Sequence, residues 1–535
     1  MSTHIPVLII GGGLNGLTAA ALLARQGVGC LVVERHAGTS IHYKFAGISP
    51  RSMEIFRSLG LEAEIRAKRT GDQQGGGIAR ARNLADPDIR WGGPAWSDAS
   101  PYSPTQPATC DQHVLEPILR RCAERAGADI SFNTEFLSLE QDLAAVYAVI
   151  RNRETGKEER IVADYLIAAD GANGTLREKL GIDRTGPGVL QHWMSIIFDT
   201  DLSPEIGGRQ LTSCFVSDLN ATITPRPGGR WLLALQYFPE KDERPEDFDR
   251  DRCRELVEKA AGRSGVKAEL VDARSWEMAA FLADRFCTGR CFLIGDAAHL
   301  MPPTGAFGGN SGIHDAHNLA WKLAMVISGE ADAGLLDTYD AERRPVIVAT
   351  LAQALARLQQ WFKDPAGRLP PAVATVDDYD VVFGQRYDTG ALVPEAGARD
   401  RSFEPVADLS GIPGTRAPHL VIERDGEKLS TLDLLGRDLV LLAGDAKWRA
   451  AAERLRREDG LPLACHVFGT SGDLGDPAAR WPQAYGVGDG GAVLIRPDGF
   501  VAWRAPGAES DIEGRLDQVL NEIGIGVGHR DGTLR

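Results

Sequence analysis

The hydrophobic pattern near the N-terminus predicts a strand, a helix and a second strand. A continuous apolar run, VLII at 7–10, precedes a glycine-rich turn. Apolar residues then recur at helical spacing from about Leu14 to Gln26, and a second apolar run, CLVVE, follows at 30–34. Two short apolar runs joined by a helix are typical of a βαβ unit, so this segment predicts a parallel sheet.

Further along the chain, the composition and the hydrophobic pattern change three times. Residues 71–109 are rich in Gly, Pro and Ser, and residues 181–284 carry extended apolar stretches that suit a mixed or antiparallel sheet. A buried-strand pattern, CFLIGD, returns near 291 and leads into a long amphipathic helix. From about 415 a new α/β pattern begins. The chain is therefore expected to leave its first domain, return to it, and continue into a further one.

This organisation predicts an α/β protein whose first domain is interrupted by a second. The expected divisions are a nucleotide-binding domain at 1–75, 105–180 and 285–365, a second domain at 76–104 and 181–284, a connector at 366–412 and a C-terminal domain at 413–535.

Composition and charge argue against several classes of protein. At 535 residues the chain exceeds one ordinary hydrophobic core. Its 59 basic and 74 acidic residues give a net charge of −15, which disfavours binding to nucleic acid or to an anionic membrane. No apolar run approaches the roughly 20 residues that cross a bilayer, and the N-terminus lacks the features of a signal peptide. The eight cysteines show no CxxC or zinc spacing, so we expect reduced thiols, no metal site and a cytoplasmic protein.

The first chemical signal is GGGLNG at 11–16, between the first strand and the first helix. Gly11 permits the tight turn, Gly13 lets a diphosphate approach the backbone, and Gly16 lets the helix pack on the strand. The helix start, at Leu14 and Asn15, then faces the phosphate charge. A chance glycine turn is the alternative, but strand, turn and helix together favour a dinucleotide site.

Glu34 and Arg35 follow the second strand. Glu34 lies 23 positions after Gly11, where a carboxylate can accept hydrogen bonds from ribose hydroxyls. Arg35 is a further candidate for contact with the cofactor. A surface glutamate is the plain alternative, and this motif does not distinguish FAD from NAD.

The second signal distinguishes them. GRCFLIGDAAHLMPPTGAFGGNSGIHDAHNLAWKL covers 289–323, where a strand ends at Asp296 and a glycine-rich loop then enters a helix. Asp296 can bind a ribityl hydroxyl. The loop at Gly308, Gly309 and Asn310 offers backbone donors to the carbonyl edge of an isoalloxazine, which is negatively charged when reduced. This length of match favours a flavin site over a structural turn.

The third signal is LIAADGANGTLR at 166–177, a strand followed by Asp170 and, seven residues later, Arg177. These residues can place a carboxylate and a guanidinium near the phosphates of the cofactors. Asp170 can equally cap the helix that follows. One residue can fill both roles, so both interpretations stay open.

Taken in this order and spacing, the three motifs resemble the FAD-dependent aromatic hydroxylases of the p-hydroxybenzoate hydroxylase fold. These are group A flavoprotein monooxygenases, and the chain is most similar to their aromatic-polyketide hydroxylases. Three further segments match the family: FAGISPRSMEIFRSLGL at 45–61, CDQHVLEPILRRCAERAG at 110–127 and SWEMAAFLADRFCTGRCFLIGDAAHLMPP at 275–303. The similarity covers essentially the whole chain.

The resemblance implies a Rossmann-type FAD domain, an inserted mixed-sheet substrate-binding domain and a C-terminal thioredoxin-like domain. It places Gln112 near the ribityl chain and the backbone carbonyl of Pro303 beside the flavin and the substrate hydroxyl. It identifies no general base. Candidates for the substrate pocket, each more often a core or surface residue, are Gln236, Tyr237, Arg357 and Trp361.

The implied activity is hydroxylation of a polycyclic phenol of polyketide type, in antibiotic or secondary-metabolite biosynthesis. FAD, NADPH or NADH, and O₂ take part, and the oxygen is transferred from a flavin C4a-hydroperoxide. Baeyer–Villiger insertion, epoxidation and oxidative ring rearrangement use the same flavin chemistry and remain alternatives. A noncatalytic flavoprotein is the alternative of another class. The expected partners are these small molecules alone, with the chain a monomer or a homodimer.

The chain departs from the family pattern at several positions. Lys44 stands where relatives carry Arg, so it supplies a charge near the cofactor without a bidentate fork. Ala306 replaces the second glycine of the flavin loop and is followed by the bulky Phe307. Cys465 stands alone in the C-terminal domain, which we therefore expect to be inactive in thiol–disulfide exchange.

Overall fold

We describe the protein from a computed structural model. The residues that the structure describes are 3–68, 77–92, 96–208, 210–361, 367, 369–395, 402–469 and 472–526.

Up to the third sequence motif, the strands and helices are β1 (Thr3–Ile10), α1 (Leu14–Arg25), β2 (Cys30–Val33), β3 (Gly47–Ile48), α2 (Pro50–Ser58), α3 (Glu62–Ala67), β4 (Gly77–Ala81), β5 (Arg90–Trp91), β6 (Ala108–Thr109), α4 (Gln112–Arg125), β7 (Asp129–Ser131), β8 (Thr134–Gln141), β9 (Val146–Asn152), β10 (Glu158–Ala168) and α5 (Leu176–Lys179). Those that follow, as far as the connector, are β11 (Arg184–Asp199), β12 (Leu211–Val216), β13 (Ala221–Arg226), β14 (Arg230–Tyr237), α6 (Arg250–Ala261), β15 (Glu269–Ala283), β16 (Cys287–Thr288), β17 (Cys291–Leu293), β18 (His299–Leu300), α7 (Phe307–Ser328) and α8 (Thr338–Trp361). The remaining elements are α9 (Asp378–Phe383), β19 (Val421–Arg424), β20 (Glu427–Ser430), β21 (Leu439–Ala443), α10 (Lys447–Glu458), β22 (Leu463–Val467), α11 (Trp481–Tyr485), β23 (Ala492–Ile495), β24 (Val501–Ala505) and α12 (Ile512–Glu522).

The first sheet is largely parallel and has the order β16-β17-β10-β1-β2-β7. β1 pairs in parallel with both β2 and β10, and helices α1, α4 and α7 pack together beside it. Strands covered on both faces need apolar side chains in continuous runs. This is why 7–10 and 30–33 carry no alternation and are almost wholly buried.

The second sheet has the order β18-β15-β11-β14-β13-β12-β4-β5, with long antiparallel pairs of β11 with β15 and β14. The glycine- and proline-rich excursion joins it through β4, which is parallel to β12. Helix α6 packs in one apolar core with one face of this sheet.

The two sheets meet where the chain returns. β17 pairs with β10 of the first sheet, and β18 pairs with β15 of the second. The turn at 295–297 lies between them, so the second sequence motif occupies the junction of the two domains.

The C-terminal sheet has the order β22-β21-β23-β24, in which β21 and β22 are parallel and the other pairs are antiparallel. With α10 connecting the parallel strands and α12 following the last strand, this is a thioredoxin-like arrangement. The predicted fold class is confirmed.

The segment expected to be a connector packs onto the molecule where it is described. Val381, Val382 and Phe383 of α9 are buried in one cluster with Phe307 and Ala354. Its Pro- and Asp-rich composition predicted a connector at 366–412, and these apolar residues anchor the described part of it beside the start of α7.

Buried charges join the C-terminal domain to the first domain. Glu342 of α8 accepts hydrogen bonds from Arg496 at 2.7 and 2.9 Å and from Lys322 at 2.8 Å. Asn318 of α7 donates to Glu342 at 2.7 Å and to Asp498 at 3.2 Å. These five side chains are at most 1% exposed, so the third domain is part of a common interior. Among the described residues, no helix combines the length and the apolar character needed to span a membrane.

Candidate active site

The turn between β1 and α1 has the geometry that its glycines require. Gly11 has a φ of +110°, and a Cβ there would lie 2.2 Å from the Ala169 carbonyl oxygen. A Cβ at Gly16 would lie 1.9 Å from the Gly11 carbonyl oxygen. Gly13 is the N-cap of α1. The first N–H groups of a helix have no intrahelical partners, so this buried start at Leu14 can bind an anion.

Glu34 is fastened to the same turn. Its Oε2 accepts a hydrogen bond from the Gly12 N–H at 2.8 Å, and its Oε1 accepts from the N–H and the ring Nδ1 of His36, at 2.9 and 2.5 Å. The Glu34 side chain is 12% exposed, whereas Arg35 is exposed to solvent. Glu34 therefore lies beside the predicted diphosphate position, and Arg35 lies at the outer edge.

Asn15 links the first motif to the second. A Cβ at Gly295 would lie 1.8 Å from Asn15 Nδ2, and a Cβ at Gly312 would lie 2.2 Å from it. Both glycines thus make room for this one side chain. Asn15 Oδ1 is buried, and no described residue forms a hydrogen bond with it. Two motifs that are distant in sequence are held together by a single amide.

A buried ion cluster holds the Gly295–Asp296 turn. Asp315 of α7 accepts hydrogen bonds from the Gly295 N–H at 3.0 Å, from His299 Nε2 at 2.7 Å and from Arg343 Nε at 2.8 Å. Burial raises the pKa of the Asp315 carboxyl, but the charges of His299 and Arg343 outweigh it and hold the pKa at about 2. The turn therefore has a fixed position, while the Asp296 side chain is exposed.

Asp296 opens into a shallow cleft that is also lined by Asp170 and Arg177. The protein packed around the cleft raises the pKa of Asp296, and the charges of His299 and Lys44 partly offset this effect. Lys44 is exposed, and its positive charge acts on Asp296; its predicted place near the cofactor stays a prediction.

Asp170 caps a helix and keeps one oxygen unused. Its Oδ2 accepts a hydrogen bond from the Leu176 N–H in the first turn of α5 at 3.0 Å. Its Oδ1 is buried, and no described residue forms a hydrogen bond with it. A Cβ at Gly174 would lie 2.1 Å from the Asp170 carboxyl carbon, so this glycine makes room for the cap. Burial raises the pKa of Asp170. The geometry is compatible with both roles weighed from the sequence.

The glycine-rich loop forms the start of α7. Ala306 is its N-cap and has a φ of +55°, a left-handed conformation that costs a residue with a Cβ about 1 kcal/mol. α7 begins at Phe307, so Gly308 and Gly309 lie in its first turn, where backbone N–H groups have no intrahelical acceptor. A Cβ at Gly309 would lie 2.5 Å from the Phe45 ring. The loop therefore accommodates alanine at position 306 with some backbone strain. The Phe45 ring leaves no space for a side chain at Gly309.

Asn310 fixes this helix start to β3. Its side chain is 3% exposed. Oδ1 accepts a hydrogen bond from the Ser49 N–H at 2.9 Å, and Nδ2 donates to the carbonyls of Gly47 and Ala306 at 3.0 and 2.7 Å. The Asn310 side chain is thus occupied by protein groups, and it orients the first turn of α7.

Gln112 is the first residue of α4. Its N–H donates to the Phe45 carbonyl at 2.7 Å, and its Nε2 donates to Glu116 Oε1 at 2.6 Å. Glu116 is fully buried, and its Oε2 accepts a hydrogen bond from the Ser40 N–H at 2.6 Å. Gln112 is thus oriented by its neighbour one helical turn away, with its amide oxygen left for a ligand.

Pro303 lies at the start of the flavin loop and is exposed. Its carbonyl accepts a hydrogen bond from the Ala306 N–H at 3.0 Å, and a carbonyl has a second lone pair. Next to it, Thr304 Oγ1 donates to the Ala354 carbonyl of α8 at 2.6 Å. Pro303 can therefore orient a hydroxyl group, but it cannot take up its proton.

The two faces of the second sheet differ in chemistry. Tyr237 packs in the core formed with α6, with its ring 5.9 Å from that of Phe248. Its strand neighbours on the opposite face, of which Ala234 is one, turn toward Leu358 of α8. Successive side chains of a strand point to opposite faces. Tyr237 therefore lies on the α6 face of the sheet, and Gln236 lies on the face that meets the first domain; the substrate contact predicted for Tyr237 stays a prediction.

That face carries a stacked aromatic pair. The rings of Trp193 and Trp276 lie 5.7 Å apart at 19°, and Trp276 donates to Ser195 Oγ at 3.0 Å. Arg357 is held by Asp378 at 2.6 Å, so its charge is already paired. The Trp361 side chain lies outside the described residues.

The chemistry of these groups fits FAD. A helix start for a diphosphate, a carboxylate for a ribose, Asp296 beside a cleft and a second helix start for an anionic ring lie along one junction between domains. The unpartnered buried oxygens of Asn15 and Asp170 are further acceptors there. No group of His, Cys, Asp and Glu within the described ranges could hold a metal ion.

Fold and site together define a flavin-dependent oxidoreductase, and comparison with known proteins gives its family. Residues 4–354 match the FAD binding domain family, and residues 410–523 match the C-terminal domain of aromatic-ring hydroxylases. The chain belongs to these FAD-dependent aromatic-ring hydroxylases and is a flavoprotein monooxygenase.

Individual relatives span almost the whole chain. Tetracenomycin A2 monooxygenase-dioxygenase of Streptomyces glaucescens is 40% identical over 98% of this chain and 97% of its own length. Aklavinone 12-hydroxylase of Streptomyces purpurascens is 40% identical over 98% of this chain and 99% of its own. The crystal structure of aklavinone-11 hydroxylase with FAD and aklavinone has a TM-score of 0.90 at 38% identity, covering 98% of this chain and 100% of that one.

Several residues of the site were missed from the sequence. The sequence pattern had given no role to Glu116, Gly312, Asp315 and Arg343. A signal was present in α7, where Asp315, Asn318 and Lys322 follow one another at helical spacing among mostly buried residues. Polar residues on a buried helical stripe indicate a buried network.

Proposed function

We propose that the protein hydroxylates a polycyclic phenol of polyketide type, using NADPH or NADH and O₂, in the biosynthesis of an antibiotic or other secondary metabolite. The observation that carries this proposal is the aromatic face of the second sheet, turned toward the FAD domain. A flat, apolar wall with few polar groups suits a planar multi-ring ligand. The relatives named for tetracenomycin and aklavinone support the same class of substrate.

We assign the cofactor contacts by their places in the junction. The diphosphate is assigned to Gly11, Gly13, Leu14, Asn15 and Gly16, the adenosine end to Glu34 and Arg35, the ribityl chain to Gln112 and Asp296, nearby charge to Lys44 and Asp170, and the ring system to Pro303, Gly308, Gly309 and Asn310.

When bound, FAD supplies the group that accepts a hydride and activates O₂. The protein's residues orient the flavin and the substrate and shield them from water. The first turn of α7 stabilises negative charge on the ring system through its backbone N–H groups. The Pro303 carbonyl accepts a hydrogen bond from the substrate hydroxyl and so fixes which ring carbon is presented. Trp193 and Trp276 hold the rings and exclude water.

The test begins with the full chain purified with its FAD. We expect a polycyclic phenol to stimulate NADPH or NADH oxidation much more than a single-ring phenol does. The product should gain one oxygen atom that comes from labelled O₂. A flavoprotein whose NAD(P)H oxidation no polycyclic phenol accelerates would contradict the proposal and favour a noncatalytic role.

Neighbouring residues of β14 provide a matched pair of variants. Gln236→Ala changes the face that meets the FAD domain, so we expect KM for the polycyclic phenol to rise about tenfold, the effect of roughly one lost hydrogen bond. Tyr237→Phe changes the α6 face and should leave KM near its original value. The reverse pattern would show that the substrate lies elsewhere.

A second outcome is favoured by the name of one relative, a monooxygenase-dioxygenase. Baeyer–Villiger insertion, epoxidation or an oxidative ring rearrangement would also add oxygen from O₂. The structure of the product by NMR distinguishes these reactions from ring hydroxylation. We expect a cytoplasmic monomer or homodimer that binds no nucleic acid, which fractionation and gel filtration test directly.

A further inference from the structure

A fully buried carboxylate lies beside the assigned diphosphate site. Glu116 of α4 is 0% exposed, and its Oε1 lies 3.7 Å from the position that a Cβ would occupy on Gly13. Gly13 is the N-cap of α1 and the glycine whose missing side chain lets a diphosphate approach. Glu116 therefore faces the side of the turn that has to stay clear for the cofactor.

The hydrogen-bond donors around Glu116 are uncharged. Gln112 Nε2 donates to Oε1 and the Ser40 N–H donates to Oε2, both at 2.6 Å, and the Leu14 N–H also stabilises the carboxylate. Leu14 belongs to the first turn of α1, so this donor is of the kind that a diphosphate would use. The Glu116 carboxylate and the diphosphate would therefore compete for the same backbone donor.

The neighbouring charge is of the same sign. Burial raises the pKa of the Glu116 carboxyl, the three donors partly offset this effect, and the charge of Glu34 raises the pKa further. A diphosphate would add more negative charge next to a carboxylate that is out of water. Like charges in a low-dielectric site repel strongly unless one of them is neutralised.

We propose that Glu116 takes up one proton from solvent when FAD binds, so that the diphosphate meets a neutral acid. The step converts a carboxylate into a carboxylic acid and forms no covalent bond with the cofactor. The acid can then donate a hydrogen bond toward a phosphate oxygen. This inference rests on the proposed assignment of the diphosphate to the start of α1.

Other ionisable groups lie near the site. Glu34 and its partner His36 lie at the end of β2, whereas α1, the loop at Ser40 and Gln112 contribute uncharged donors. The test therefore needs a variant that alters Glu116 alone, and Glu116→Gln removes the charge with little change of shape.

The experiment uses the full-length chain, stripped of FAD and titrated with FAD by calorimetry. Buffers of different ionisation enthalpy report the protons taken up, and Kd is measured between about pH 6 and pH 9. We expect the wild type to take up as much as one proton, with Kd rising by up to about tenfold per pH unit. Glu116→Gln should take up fewer protons and bind FAD more tightly than the wild type at high pH.

A matched control is Glu34→Gln. This variant should bind FAD more weakly at every pH and still take up the proton, because Glu116 is intact. Equal proton uptake in the wild type and Glu116→Gln, or weaker FAD binding by Glu116→Gln at every pH, would overturn the proposal.

A second measurement needs the wild type alone, in case Glu116→Gln fails to fold. An infrared difference spectrum should show a carboxylic acid band that appears when FAD binds; its absence overturns the inference. FAD that binds with no proton uptake refutes the role of Glu116 only. A wild-type chain that binds FAD but oxidises no polycyclic phenol refutes the proposed function instead.

Discussion

The two ends of the cofactor site are built in different ways. At the adenosine end, Gly11, Gly16 and Glu34 lie close together in sequence, and the backbone shape of one turn creates the site. At the flavin end, the turn at Gly295 depends on Asp315, which depends in turn on groups from other elements. The adenosine end is formed by residues close together in sequence, whereas the flavin end is formed by residues that only the complete fold brings together.

This difference determines how substitutions at each end affect the protein. Loss of a group assigned to the adenosine end should remove hydrogen bonds to the cofactor and leave the chain folded. Loss of a partner at the flavin end leaves a buried charge unpaired, which costs about 3–5 kcal/mol. We therefore expect changes at the first end to alter affinity and changes at the second to alter stability and alignment.

The largest effect is expected for Asp315→Ala. It removes the acceptor for Arg343 and for the Gly295 N–H, so the free energy of unfolding should fall by about 3–5 kcal/mol in urea titrations. Asp251→Asn is the control, because Asp251 is 89% exposed in a surface pair with Arg254 and should cost less than about 0.5 kcal/mol. Equal stability of the two variants would remove the distinction between the two ends.

Glu34→Ala tests the adenosine end. Hydrogen bonds to a charged acceptor contribute about 1.5–3 kcal/mol, so Kd for FAD should rise roughly tenfold to a hundredfold. The unfolding free energy of the FAD-free chain should change much less than in Asp315→Ala. Fluorescence titration of FAD measures the affinity, and an unchanged Kd would show that Glu34 does not hold the ribose.

Gly309→Val tests alignment at the flavin end. The new side chain would collide with Phe45, while the adenosine end stays intact. We expect FAD to be retained and the ratio of product to oxidised NADPH to fall about tenfold, equivalent to about 1.4 kcal/mol, with the difference appearing as H₂O₂. Adding Phe45→Ala should restore part of the coupling. Normal coupling, or complete loss of FAD, would show that the division between the two ends is drawn wrongly.

The same contrast explains what the sequence could predict. The βαβ unit and the roles proposed at Gly11 and Gly16 depend on residues close in sequence, so their spacing is informative. The sequence did not show on which face Tyr237 lies, because a shift of one residue along a strand moves a side chain to the other face. Asp315 and Glu116 were missed because they have partners distant in sequence, such as Arg343 and Ser40, and only the folded chain brings them together. Residues 366–412 were predicted to be a connector, and composition alone could not show that Val381, Val382 and Phe383 within them are buried.

The smallest effect is expected for Cys465→Ser, which asks how the C-terminal domain contributes to the flavin end. Cys465 lies in β22 and is the sole cysteine of residues 413–535. Burial raises the pKa of its thiol to about 12, so the reactive thiolate is scarce at neutral pH. The domain reaches the FAD domain through Arg496 and Asp498 instead. We expect FAD content and turnover to stay unchanged and stability to fall by no more than about 1 kcal/mol, whereas Asp498→Asn should lower stability more, because it weakens a buried ionic cluster. Loss of turnover in Cys465→Ser with fold and FAD intact would instead assign the domain a redox role.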